Sequence, residues 1–159
     1  MPTITDWHHV AIQVPEIEKS EEWYLKVFQA DVFNRIGWDP RDIKAGRNRA
    51  VWLQVGDAII NLAEADVIDR PEEAHFFHYA LAAPPGTLDD WIDHLRRIDV
   101  EVYGPFGHGR TSFVSIYFDD PDNYRWEIVV DYGDYETAKR EALARGGMLG
   151  NPSAPYVWE

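Results

Sequence analysis

A repeat constrains this chain more than any other feature. The segment HVAIQVP, starting at His9, returns as HYALAAP at His78, with every position offset by 69. Both read His-x-Ala-aliphatic-x-small-Pro, and the alternation of apolar residues marks each as a strand. A helical pattern follows each strand. Ile17, Trp23, Tyr24, Val27 and Phe28 recur at helical spacing in the first; Leu88, Trp91, Ile92, Leu95 and Ile98 make the stripe of the second. Thr87 is placed to cap that second helix, with Asp89 and Asp90 in its first turn, where the helix dipole favours negative charge.

Three extended runs come after each helix. In the first copy they cover about 31–37, 48–55 and 58–63, the last two joined at Gly56-Asp57. In the second they cover about 100–104, 112–119 and 124–131, the last two joined at the turn-rich DPDN. The chain therefore predicts an α+β fold of two β-α-β-β-β modules, 1–66 and 67–132, within one structural domain. An acidic linker falls near 64–75. Residues 133–159 add a short helix over 134–145, ending at Gly146-Gly147, and an irregular aromatic tail, NPSAPYVWE.

Composition narrows the partners. A net charge of −13 argues against a phosphate-backbone partner, and the absence of cysteine removes disulfides, thiolate metal sites and a cysteine nucleophile. No apolar stretch approaches membrane-spanning length, and no basic segment precedes an apolar run at the N-terminus. The expectation is a cytoplasmic protein with a small-molecule substrate and no nucleic-acid or membrane partner. The aromatic tail offers a surface for a homodimer.

Two adjacent histidines open the first strand, and strand parity separates them. His8, Val10, Ile12 and Val14 share one face, which is apolar and should meet the helix; His8 is read as structural. His9 shares the other face with Ala11, as His78 shares its face with Ala80, and small neighbours leave room around a ring nitrogen. Glu127, flanked by Trp126 and Ile128, would be costly to bury unpaired. It is either salt-bridged, for instance to Arg125 or Arg110, or a metal ligand. Two imidazoles and one carboxylate with open positions is the facial arrangement typical of non-haem Fe(II).

These residues, with HHVAIQVPEIEKSEEWYLKVF, HYALAAP and IYFDDPDNYRWEIVV, resemble the vicinal oxygen chelate superfamily across roughly residues 5–131. That superfamily contains glyoxalase I, extradiol dioxygenases, fosfomycin-resistance enzymes and bleomycin-binding proteins. The resemblance implies a cupped mixed sheet around one divalent metal, held by His9, His78 and Glu127. Aligning the hairpins pairs Asn61 with Glu127; glyoxalase I enzymes carry a glutamate there, so the resemblance disfavours their chemistry. GHGRTSFVSIYFDDPDNYRWE is similar to the extradiol dioxygenase signature and implies His108 as proton carrier and Tyr117 as hydrogen-bond donor. Asn123 and Phe106 depart from that signature. Trp7, Trp52 and Phe113 are candidates for ring contacts with a substrate.

The leading expectation is an Fe(II)-dependent, ring-cleaving dioxygenase of a small catechol, with Mn(II) or Zn(II) as alternative metals. One alternative is a fosfomycin-resistance-like transferase or hydrolase using Mn(II). Relatives of that type often carry a basic residue about nine positions after the glutamate ligand, where this chain has Glu136. A bleomycin-resistance-like binding protein without catalysis is the remaining alternative.

Overall fold

The computed structural model describes residues 8–66, 78–108, 111–151 and 154–155. The chain forms two compact units, Met1–Pro71 and Glu72–Glu159. Among the described residues no helix is long and apolar enough to cross a membrane.

The first unit runs β1 (Val10–Val14), α1 (Ile17–Phe28), β2 (Asp31–Ile36), α2 (Pro40–Lys44), β3 (Ala50–Val55) and β4 (Ala58–Glu64). The sheet order is β1-β4-β3-β2, with β1 parallel to β4 and the other pairs antiparallel. Alternation decides which face carries the core. Ile12, Val14, Val51, Leu53, Ile60 and Leu62 are all buried on the side where α1 packs over β3 and β4. Ile17, Tyr24, Val27 and Phe28 supply the facing helix stripe. Each such aliphatic side chain contributes roughly 1.5–3 kcal/mol by leaving water. Helix α2 was not expected. Its start is nonetheless encoded: the Asp39 carboxylate accepts from the amides of Arg41 and Asp42, and Pro40 occupies the first turn, where its missing N–H costs nothing.

The second unit repeats the order with β5 (Tyr79–Ala83), α3 (Leu88–Arg97), β6 (Tyr103–Gly107), β7 (Phe113–Asp119) and β8 (Arg125–Asp131). Helix α4 (Tyr135–Ala144) and strands β9 (Met148–Asn151) and β10 (Ala154–Pro155) follow. The sheet order is β10-β9-β6-β7-β8-β5, with β5 parallel to β8 and β9 parallel to β6. Trp126, Ile128, Val114, Ile116 and Phe118 form its buried face.

The β7–β8 turn is built by Asp120, whose buried carboxylate accepts from the amides of Asp122 and Tyr124, while Asn123 sits at φ 63°. Asn is among the few residues that take this left-handed conformation readily.

Three expectations need correction. The first strand after α3 lies at Tyr103–Gly107 rather than 100–104, because Ile98 and Asp99 complete a turn at the helix end. Thr87 stands at the N-cap of α3, but its hydroxyl donates to the Pro84 carbonyl instead of capping a helix amide. The tail is not irregular throughout, since part of it adds β9 and β10 to the second sheet. Most of the expected linker, and the aromatics Tyr156 and Trp158, lie outside the described residues.

Candidate metal centre

The two registers place the halves of the repeat in correspondence. In the first unit Asn61 of β4 lies beside Ala11 of β1 and opposite Trp52 of β3. In the second, Glu127 of β8 lies beside Ala80 of β5 and opposite Tyr117 of β7. His9 and His78 stand two residues before those alanines, each just ahead of its strand. One copy thus presents His9, Trp52 and Asn61, and the other His78, Tyr117 and Glu127.

The second unit gathers four of the five expected site residues. Glu127 is 6% exposed, so its charge must be compensated locally. The Tyr117 hydroxyl donates to Glu127 Oε1 at 2.8 Å, and His78 Nε2 lies 2.7 Å from Oε2. His108, just after β6, places Nε2 3.4 Å from the Tyr117 oxygen and 3.5 Å from Glu127 Oε1. The His78 and His108 rings both lie edge-on to Tyr117, at centroid distances of 5.5 and 6.2 Å.

Electrostatics follow from this crowding. Burial pushes the His108 imidazolium below its ordinary pKa; Glu127 opposes that and His78 reinforces it. Burial, with Glu127 beside it, drives the Tyr117 phenol far above its usual range. Tyr117 is therefore a donor that keeps its proton at neutral pH.

Arg125 does not pair with Glu127. It grips Asp119 through two hydrogen bonds of 2.9 Å and lies 5.3 Å over the Tyr103 ring. Arg110 lies outside the described residues, as does Trp7. Trp52 places its ring 5.0 Å from His9, whereas Phe113 is 40% exposed at the start of β7.

The reading of His8 also changes. Strand β1 begins only at Val10, so parity does not reach back to the histidines. His8 is exposed, and its Nδ1 lies 2.8 Å from His9 Nδ1. Sequence reasoning missed one further residue on the Tyr117 face. Ser115 is fully buried, and its hydroxyl faces the Tyr117 phenol. The i, i+2 spacing from Tyr117 was the available signal.

Comparison with known proteins places this chain in a class. The profile described as the Glyoxalase/Bleomycin resistance protein/Dioxygenase superfamily matches residues 7–128, and the chain belongs to that superfamily. Its α+β pair of βαβββ modules, with a short C-terminal helix, is the fold of the structures it resembles. The metallothiol transferase FosB of Staphylococcus epidermidis is 25% identical over 126 residues, covering 79% of this chain and 81% of that protein. The fosfomycin resistance protein FosX from Listeria monocytogenes superposes with a TM-score of 0.69 at 18% identity, covering 82% of this chain and 97% of that one. FosX from Mesorhizobium loti gives 0.62 at 19% identity, covering 90% and 100%. A Listeria monocytogenes FosX structure with Mn(II) and sulfate gives 0.65 at 18% identity, covering 85% and 99%.

The residues of the second unit can be tested against a divalent ion. Among the described residues no three His, Asp or Glu side chains are grouped so as to hold a metal. Two donors do converge, His78 Nε2 and Glu127 Oε2, at 2.7 Å. Two donors at about 2.1 Å from one ion, at right angles, are separated by about 3 Å, so this pair fits with a shift of a few tenths. The second carboxylate oxygen is held by Tyr117, the kind of outer hydrogen bond that orients a ligating carboxylate.

Proposed function

We propose that the chain is a divalent-metal-dependent enzyme acting on a small, oxygen-rich molecule, with His9, His78 and Glu127 as the ligands. One observation carries the reading: Glu127 is buried with one oxygen facing His78 and the other fixed by Tyr117. A carboxylate pinned in this way presents one defined lone pair and resists rotation. The bound ion would supply Lewis acidity toward an oxygen of the substrate. His108, kept neutral by burial, takes the proton of an incoming nucleophile, and Tyr117 keeps the carboxylate in place.

For the reaction, the similarity to FosB and FosX favours the addition of a thiol or water to a fosfomycin-like electrophile, with Mn(II) as the metal. A second reading, ring cleavage of a catechol with Fe(II) and O₂, is favoured by the convergence of His108, Tyr117 and Glu127.

Metal-depleted protein is loaded with Mn(II) or Fe(II) and offered fosfomycin with water, cysteine or glutathione, and separately a catechol panel in oxygenated buffer. Mn(II)-dependent loss of fosfomycin supports the first reading; oxygen uptake with a coloured ring-opened product supports the second. Failure to bind Mn(II), Fe(II) or Zn(II) refutes the metal-dependent enzyme and leaves a binding protein. His78→Ala and Glu127→Ala should each abolish metal binding.

A further inference from the structure

We infer that His8 is a positioning residue for His9, fixing which nitrogen of His9 is free to ligate. The inference rests on the ligand role proposed for His9. The two Nδ1 atoms lie 2.8 Å apart, with the rings edge-on at 83° and 5.0 Å between centroids. Two ring nitrogens at that distance share one proton, because two lone pairs facing each other would repel and two N–H groups would clash.

The proton has two places to be. If His8 donates, whether neutral or as imidazolium, His9 Nδ1 is the acceptor and His9 Nε2 carries the ring proton. His9 then has no free lone pair. If His9 donates, Nε2 is bare and available, and His8 is a neutral acceptor with its proton on Nε2. Ligation by His9 therefore selects the second arrangement. The Trp52 ring, 5.0 Å from that of His9, limits rotation out of it. Metal-bound histidines are generally held by such a partner on the second nitrogen, usually a carboxylate or carbonyl. Here the adjacent imidazole takes that place.

The same contact explains why parity misassigned His8. Ahead of β1 the chain has no ladder to impose alternation, so neighbouring side chains turn toward each other.

The test measures Zn(II) affinity by chelator competition in the full chain, with ¹⁵N-histidine spectra of the zinc-loaded protein. His8→Phe keeps a ring but no acceptor and should weaken Zn(II) binding by about 10–100-fold. His8→Asn, whose amide oxygen accepts, should recover most of that loss. In wild type, the spectra should show the His9 proton on Nδ1 and the His8 proton on Nε2. Affinity of His8→Phe within about twofold of wild type, or a His9 proton on Nε2 with zinc bound, overturns the inference. His9→Ala separates the two levels: wild-type zinc affinity in that variant refutes the ligand assignment itself, whatever His8 does.

Discussion

Replacing Tyr117 by Phe removes one hydroxyl and little else. The ring keeps its neighbours His78, His108 and Phe106, at 5.5, 6.2 and 6.0 Å, so no cavity opens. The loss is the 2.8 Å bond to Glu127, with both partners at least 94% buried. A hydrogen bond to a charged group is worth about 1.5–3 kcal/mol, and its removal leaves a buried carboxylate short of a donor. Not having to dehydrate the phenol returns a little of this. The net cost in metal-free protein at pH 7 is about 2 kcal/mol, which lowers the melting temperature by about 4–8 °C for a chain of this size. Tyr103→Phe is the control, because its hydroxyl donates to exposed Glu101 at 3.0 Å and should cost below about 0.5 kcal/mol. Thermal unfolding of the three proteins by near-ultraviolet circular dichroism reads the difference. Equal melting temperatures for Tyr117→Phe and wild type would refute the claim that this bond compensates a buried charge.

Three further measurements test other parts of the fold. Asn123→Ala should cost about 1 kcal/mol in urea unfolding, because alanine tolerates φ 63° poorly, while Asn123→Gly should stay within about 0.5 kcal/mol. Gly147→Ala should destabilise more than either, since its Cβ would lie 2.5 Å from the Pro105 carbonyl oxygen and 2.7 Å from that of Ala142, both backbone atoms. Chymotryptic cleavage in the α4–β9 segment should then become faster. Proton NMR of metal-free protein should give His108 a midpoint below 6.5; the unfolded chain binds that proton more readily, so His108's contribution to stability is present above pH 6.5 and lost as pH falls through the folded midpoint. A midpoint at or above 6.5 would count against the burial of this ring.

Much of the fold was legible because it is periodic. The alternation in HVAIQVP and HYALAAP, the helical stripes and the two hairpin turns each encode local structure. Their coincidence in two copies fixed the correspondence of Asn61 with Glu127 that the registers display. Segments whose structure depends on distant partners were read less well. β6 contains Gly-Pro-Phe-Gly, which looks like a loop until β7 and β9 flank it. The start of α2 was a local signal, an Asp-Pro cap, hidden by its brevity. At the site, the repeat and strand parity pointed to His78 and the cost of burial to Glu127, the family resemblance added His108 and Tyr117, and the second unit brings these four together. What no pattern could supply was the proton partner of His9, because that contact forms where the strand has not yet begun.

Strand β9 also sets a schedule. It pairs Met148 and Leu149 with Phe106 and Gly107, more than forty residues earlier in the chain. At roughly 5–20 residues per second, the outer edge of β6 waits about 2–8 s during synthesis before its partner exists. An open edge is a template for strands from other chains. Through that interval the edge carries Pro105, which has no N–H to offer a passing strand. The residue that makes β6 look least like a strand is the one suited to protecting it while it waits.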